Sequence, residues 1–187
     1  MQKIILASQS PRRKQLLQWA EVPFDVIVAD TDEHYPPSLG FEEIAIYIAR
    51  NKALAVLKEY QGSMPVLAAD TIVVCEGKVL GKPTDREDAI RMLSLLQGKT
   101  HEVITGVVII HQGRELAFAD KTSVAFHTMT FDQLSFYVDK YKPYDKAGAY
   151  AIQEWIGVVG IKSIRGDFYN VMGLPVSRVV NLLKDIQ

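Results

Sequence analysis

The chain opens with an apolar run that ends abruptly at a polar turn, and this junction restricts the start of the fold. The run Ile4–Ala7 has the length and composition of a short buried strand, and the polar segment Ser8–Arg13 follows it directly. Ser10 is a favourable N-cap residue, and Pro11 suits the first helical position because the N–H that proline lacks has no partner there. The sequence therefore predicts a strand that turns sharply into a helix over 11–19.

Two basic residues begin this predicted helix. Arg12 and Arg13 fall in its first turn, where the helix dipole makes a positive charge unfavourable. A bound anion would explain them, since free N–H groups, serine hydroxyls and guanidinium groups together make a phosphate site. We therefore predict that Ser8 and Arg13 bind phosphate. A pair of solvated surface arginines is the alternative, and the local pattern leaves both interpretations open.

Composition limits the class of protein. The 187 residues are 48% apolar, enough for one domain over 1–187, either undivided or built as two lobes around a central cleft. The 21 basic and 22 acidic residues give a net charge of −1, which lacks the basic excess of a duplex-DNA binder. A single cysteine, Cys75, excludes an internal disulfide and a cysteine-cluster metal site. We expect no nucleic-acid partner.

Targeting signals are not visible in the sequence. Only four apolar residues follow Met1-Gln2-Lys3, which is too short for a signal peptide. No apolar stretch approaches the roughly 18 residues of a membrane-spanning helix. We therefore expect a cytoplasmic protein that does not associate with a membrane.

Helical and strand patterns alternate along the first half, and a β-rich centre follows. This order predicts an α/β protein with a long, mixed, twisted sheet flanked by helices. Thr84 and Glu87 have the spacing of a capping box at the start of the third helix. The predicted strands cover 3–7, 24–28, 66–75, 79–80, 101–111, 115–127 and 158–161. The predicted helices cover 11–19, 41–60, 85–96, 131–140 and 175–186.

Asp70 is the best candidate for a catalytic carboxylate. It follows the four apolar residues Val66–Ala69, and a second apolar run, Ile72–Cys75, continues beyond it. An acid inside such a strand is costly to bury unless it is paired, hydrated or bound to a metal ion. A turn or capping aspartate is the alternative, which the continuing apolar run disfavours.

Glu33 lies in the segment Asp30–His34, which holds three carboxylates. A divalent cation bound by oxygen ligands would relieve their mutual repulsion, and we predict that Glu33 and Asp70 bind such a metal. A solvated acidic loop is the alternative, and it is the commoner meaning of such a run. With one cysteine and four scattered histidines, no zinc-binding spacing is present.

Two lysines are candidates for binding phosphate. Lys52 lies in the long predicted helix, where a solvated lysine is the usual interpretation. Lys82 follows Gly81 in a loop, and the glycine permits close approach of a ligand to the backbone. The chain has neither a Walker A loop nor a dinucleotide-binding glycine motif.

A segment of charged, small and aromatic residues over 144–153 shows no regular period. Its small residues allow a ligand close to the backbone. At its end, the side-chain amide of Gln153 is able to make two hydrogen bonds to the edge of a nucleobase. Tyr150 is able to stack on a base, although core packing is the commoner role of a tyrosine.

Taken in order, these segments resemble the Maf family of nucleoside triphosphate pyrophosphatases. Each one alone is a weak signal, but together they span nearly the whole chain and are specific. The segments are Ser8–Arg13, Asp32-Glu33, Asn51–Ala53, Ala69–Thr71, Gly81–Pro83, Asp145–Tyr150 with Ile152-Gln153, and Asn170–Pro175.

The resemblance implies hydrolysis of a nucleoside triphosphate between its α- and β-phosphates, with Mg²⁺ or Mn²⁺ as cofactor. It also implies an elongated fold similar to that of the inosine triphosphatases. Asp70 matches the proton acceptor of the family, and Arg12, Thr71 and Gln153 match positions that distinguish its substrate subgroups. With Thr71 directly after Asp70 and with Gln153, the chain resembles the subgroup of the family that acts on dTTP and UTP.

Two alternative functions stay open beside the hydrolysis of dTTP and UTP. The first is a nucleotide-sensing regulator of septum formation that does not need turnover. The second is the same hydrolysis directed at modified or damaged pyrimidine nucleotides, a house-cleaning role. A homodimer is a further expectation, because exposed parts of the late β-rich segments are able to pair.

Overall fold

The computed structural model describes residues 2–185, and within them the chain forms seven β-strands and seven α-helices. The strands are β1 (Ile4–Leu6), β2 (Phe24–Val26), β3 (Val66–Cys75), β4 (Lys78–Leu80), β5 (Thr100–His111), β6 (Arg114–Phe126) and β7 (Ile161–Arg165). The helices are α1 (Pro11–Trp19), α2 (Phe41–Glu59), α3 (Arg86–Leu96), α4 (Phe131–Tyr141), α5 (Trp155–Gly160), α6 (Phe168–Met172) and α7 (Val176–Asp185). A 3₁₀ turn covers Ala147–Ala149.

All seven strands belong to one mixed sheet. Its order is β2-β1-β3-β5-β6-β7, and β4 pairs with β3 beside this path. Strand β1 runs parallel to β2 and β3, whereas β4 is antiparallel to β3 and β7 is antiparallel to β6. The predicted class, an α/β protein with a mixed sheet flanked by helices, is confirmed.

The fold consists of two compact units. The first holds the chain up to Thr71, the segment Thr105–Asp120 and the chain from Gly173 onward. The second holds Ile72–Ile104 and Lys121–Met172. Strands β3, β5 and β6 each contribute residues to both units. Among the described residues, no helix is both long and apolar enough to cross a membrane.

In the first unit, helix α2 packs tightly on the sheet. A Cβ atom placed on Gly106 of β5 would lie 2.2 Å from the carbonyl carbon of Ala45, so only glycine allows this approach. Small side chains on the buried face of α2 serve the same purpose. The core between helix and sheet consists of Ile5, Ala7, Ala49, Ala53, Val56, Val66, Ala68, Val108 and Ile110.

The signals for the ends of the helices are partly confirmed. Ser10 caps α1, since its Oγ accepts the N–H of Arg13 at 3.4 Å, and Pro11 occupies the first position. The predicted cap Thr84 of α3 is wrong, because the carboxylate of Asp85 accepts the N–H of Asp88 at 2.8 Å instead. The last helix begins at Val176. Residue 186, included in the prediction, lies outside the described residues.

The predicted strand over 158–161 is wrong. Helix α5 ends at Gly160, and the strand β7 starts only at Ile161. Val158 and Val159 are β-branched and suggest a strand, but Val158 is 82% exposed, so no core selects its extended form. Helix α6 also forms where the sequence shows no clear period.

A buried histidine lies in the second unit. His101 is 1% exposed, and its Nε2 shares a hydrogen bond of 2.7 Å with the hydroxyl of Tyr150. The rings of Phe126 and Tyr150 contact its imidazole edge to face. Burial lowers the pKa of His101 from 6.5 to about 4, so the folded protein holds this imidazole neutral at pH 7.

We predict that His101 makes stability depend on pH. Between pH 6.5 and 4, the unfolded chain protonates this side chain and the folded chain does not, so acid favours unfolding. Relative to His101→Gln, the wild type is expected to lose about 3 kcal/mol of unfolding free energy over this range. Urea denaturation at a series of pH values measures it. His127→Gln, at an exposed histidine, should keep the wild-type profile. Identical pH profiles for the wild type and His101→Gln would contradict the assignment.

Candidate active site

A partly buried ion pair in the first unit joins helix α2 to strand β3. Asp70 lies in the middle of β3 and is 9% exposed, as the apolar residues on both sides of it predict. Lys52 reaches it from α2, with Nζ 2.6 Å from Asp70 Oδ1. An unpaired carboxylate at this depth would cost several kcal/mol, on the order of the effective penalty for burying an ion. The lysine therefore makes a buried acid tolerable inside the strand.

A second carboxylate meets the same ammonium group. Glu33, in the segment between β2 and α2, places Oε1 2.8 Å from Lys52 Nζ, and its side chain is half-exposed. Lys52 thus lies between two carboxylates that come from separate segments. This arrangement brings together three of the residues predicted from the sequence.

The rest of the acidic segment does not join this cluster. Asp32 bonds to the backbone N–H and to the imidazole of His34, and these contacts hold the pKa of the Asp32 carboxyl below its usual value. Within residues 2–185, no group of three or more histidine, cysteine, aspartate or glutamate side chains is arranged to hold a metal ion. The three neighbouring carboxylates therefore do not form a single centre.

The first turn of α1 contributes a buried arginine. The guanidinium group of Arg13 donates to the carbonyl oxygen of Gly173 at 2.8 Å through Nε. Nη1 donates to Ser8 Oγ at 3.1 Å, and Nη2 donates to Thr71 Oγ1 at 3.0 Å. Three distant parts of the sequence therefore converge on one side chain.

The hydrogen-bond partners of this arginine are neutral oxygen atoms. Burial lowers the pKa of Arg13, and the negative charge of Asp70 acts in the opposite direction. Arginine nevertheless stays protonated in proteins, so a positive charge is buried here without a carboxylate among these hydrogen-bond partners. Such a site favours the arrival of an anion. The three hydrogen bonds also leave part of the donor capacity of the guanidinium group for a ligand.

Thr71 contacts protein groups on two sides. Its Oγ1 accepts from Arg13 and lies 2.9 Å from Oγ1 of the buried residue Thr105 on β5. The predicted role of Thr71 in substrate selection stays a prediction. The structure places its hydroxyl against the arginine.

Two residues of this site were not found from the sequence. Gly173 has φ +117, which favours glycine, and its carbonyl accepts from Arg13. Gly173 lies in the segment Asn170–Pro175, which contributes to the family resemblance. That segment alone does not predict the contact of Gly173 with Arg13. Thr105 is the one polar residue in the apolar run Val103–Ile110, and that interruption is its only signal.

The remaining predicted residues occupy other places. Arg12 precedes Arg13 on α1 and is partly exposed. Lys82 is exposed in the loop after β4, and Gln153 is exposed in a turn after the 3₁₀ segment. Lys82 and Gln153 belong to the second unit, whereas Ser8, Glu33, Lys52, Asp70, Thr71 and the two arginines belong to the first.

The fold and this site define an α/β protein with a partly buried acid–lysine pair and a buried arginine. The chain belongs to the Maf family, since the family described as Maf-like protein matches residues 3–186.

Relatives support this assignment over nearly the full length. A dTTP/UTP pyrophosphatase of Porphyromonas gingivalis is 47% identical over 186 residues, which cover 98% of this chain and 94% of that protein. One of Bacteroides fragilis is 48% identical, covering 98% of this chain and 96% of that protein. One of Cytophaga hutchinsonii is 49% identical, covering 97% and 83%.

A solved structure shares the fold. The Staphylococcus aureus Ham1 protein superposes with a TM-score of 0.53 and covers 99% of this chain and 100% of that one. At 15% identity this similarity concerns the fold alone. The prediction of a fold like that of the inosine triphosphatases is confirmed at this level.

We predict that the hydroxyl of Thr71 supports the site. Thr71→Val keeps the shape but leaves Arg13 Nη2 and Thr105 without this partner, which should cost about 1–3 kcal/mol of unfolding free energy. Thr71→Ser retains the hydroxyl and should lose clearly less. Urea denaturation of the three proteins compares them. Equal stability of the valine variant and the wild type would show that these hydrogen bonds contribute nothing.

Proposed function

We propose that this protein hydrolyses dTTP and UTP to the nucleoside monophosphate and pyrophosphate. The observation that carries the proposal is the pairing of Asp70, buried in the middle of a strand, with Lys52. The names of the relatives agree, since proteins 47% and 48% identical to this chain are called dTTP/UTP pyrophosphatases. The protein is then an enzyme, a nucleoside triphosphate diphosphatase.

The charge of the substrate sets the first requirement of this reaction. A triphosphate is strongly anionic, so it repels a nucleophile until cations neutralise it. Arg13, buried among neutral partners, and Lys52 supply positive charge in the first unit. Ser8 donates its hydroxyl to phosphate oxygen, and Lys82 adds a further cation. In this proposal these four residues bind the phosphates.

Asp70 is the proton acceptor in this proposal. The oxygen of a water molecule attacks the α-phosphorus, and the bond from that phosphorus to the bridging oxygen breaks. Pyrophosphate leaves with the electron pair, and the proton of the water passes to the carboxylate of Asp70. The ion pair with Lys52 fits this role, because it orients the carboxylate within β3.

A divalent metal completes the proposal. Glu33 and Asp70 already converge on one positive group, the ammonium of Lys52, and Mg²⁺ commonly binds one or two carboxylates together with substrate phosphates. The donor set therefore suits Mg²⁺ or Mn²⁺ held by Glu33 and Asp70. When bound, the metal would neutralise the charge of the phosphates.

Base selection is assigned to Gln153, with Arg12 and Thr71. A carboxamide donates to a carbonyl oxygen of the base and accepts from N3–H, and uracil and thymine share this pattern while cytosine, which lacks the N3–H, does not. The side chain of Gln153 is exposed, which suits contact with a ligand. Thr71 would act through Arg13, which it contacts at 3.0 Å.

The test is pyrophosphate release from a panel of canonical and modified nucleoside triphosphates with Mg²⁺ or Mn²⁺. Asp70→Asn should lower turnover of dTTP and UTP by about 10²–10⁴-fold, the usual contribution of a general base. Asp25→Asn is the control, because that aspartate lies on β2, is half-exposed and forms an ion pair with Lys3. It should retain wild-type turnover.

Two results would contradict this prediction. Wild-type turnover by Asp70→Asn would remove the proposed role of the carboxylate. No turnover of any triphosphate by the wild type would instead favour nucleotide sensing without hydrolysis.

A further inference from the structure

We propose that Tyr137 and Glu154 are positioning residues that fix the turn carrying Gln153 and so set the selection of the base. The inference rests on the proposed function, which assigns base recognition to Gln153. Tyr137 is fully buried on α4, and Glu154 directly follows Gln153 in the chain.

One hydroxyl group holds both sides of Gln153. The hydroxyl of Tyr137 donates to Oε2 of Glu154, the residue after Gln153. The same oxygen accepts the backbone N–H of Ala151 at 3.1 Å, two residues before Gln153. The turn between these points is closed by a hydrogen bond of 3.1 Å from Glu154 N to the carbonyl of Ala151.

The other carboxylate oxygen of Glu154 is also engaged. Lys146, which is 8% exposed, places Nζ 3.6 Å from Glu154 Oε1 and 2.7 Å from Asp145 Oδ1. The side chain of Glu154 is 23% exposed, so a counterion is needed at this depth. Tyr137, Lys146 and Glu154 thus form a network at the turn in which the first two residues are buried and Glu154 is partly buried.

Gln153 is the exposed residue of this turn. Ala151 and Ile152 are each 5% exposed, whereas Gln153 is exposed. The network and the buried Ile152 therefore hold the backbone on the protein side and leave the carboxamide outside. This is the arrangement that a side chain needs in order to meet a ligand in one orientation.

Packing alone does not require this chemistry. Phenylalanine would fill the space of Tyr137, and a partly buried carboxylate destabilises the fold unless its oxygens have partners. The polar network instead orients the turn, because its hydrogen bonds fix the backbone before and after Gln153. Discrimination between bases depends on that orientation, since hydrogen bonds weaken steeply when misaligned.

The experiment compares kcat/KM for UTP and for CTP in four proteins. Tyr137→Phe should lower the UTP/CTP ratio by about tenfold, mainly through KM for UTP, with kcat for UTP within about twofold of the wild type. Gln153→Ala is the reference and should lower the ratio at least as far. Tyr141→Phe removes a hydroxyl from the same helix, where its ring stacks on that of Tyr137, and should leave the ratio unchanged.

The outcomes separate the inference from the proposed function. If Gln153→Ala changes the ratio and Tyr137→Phe slows both substrates equally, Tyr137 is only a structural residue and the inference is overturned. If Gln153→Ala leaves the ratio unchanged, base recognition by Gln153 fails, and the inference fails with it. Should Tyr137→Phe not fold, Glu154→Ala removes the acceptor and carries the same expectations. Glu154→Gln keeps that acceptor and should retain most of the discrimination.

Discussion

The ion pair between Lys52 and Asp70 is the interaction on which the first unit depends. A carboxylate in the middle of a buried strand needs a cation, and that cation comes from helix α2. The helix must therefore lie close to the sheet. Ala45, Ala49 and Ala53 leave its inner face small, and Gly106 removes the side chain that would obstruct it. The packing of small residues and the position of the acid are thus two parts of one arrangement.

Arg13 imposes a second constraint on the same unit. Its guanidinium group connects the turn after β1, the strand β3 and the segment before α7 through Ser8, Thr71 and Gly173. The site therefore forms only when the beginning and the end of the described chain have both folded. The hydrogen bonds of Arg13 to Ser8, Thr71 and Gly173 all go to neutral oxygens, so they leave the buried positive charge able to attract an anion. Stability and ligand binding are coupled here, since an anion bound to the folded protein would stabilise it.

Local signals in the sequence predict much of the fold. The cap at Ser10 and the start at Pro11 depend on neighbouring residues, and both are confirmed. The continuous apolar pattern around Asp70 likewise predicts strand β3, which runs through it. The strand predicted over 158–161 is wrong, because its valines favour a strand locally. The chain instead places Val158 and Val159 on the exposed side of helix α5, and no local pattern shows this helix.

The site is predictable in its residue types and not in its contacts. The resemblance selects Glu33, Lys52 and Asp70, but only the fold shows that one ammonium lies between the two carboxylates. Contacts such as that of Tyr137 with Glu154 join positions on separate elements, and no periodicity connects them. Such contacts between separate elements can be identified only from the tertiary structure.

The most direct test of the account is the position of the bond that water breaks. Hydrolysis of dTTP in water enriched in ¹⁸O, followed by mass spectrometry of both products, identifies the phosphorus that was attacked. The account predicts one ¹⁸O atom in the nucleoside monophosphate and none in pyrophosphate, because water attacks the α-phosphorus. Label in pyrophosphate, or release of inorganic phosphate instead, would contradict it.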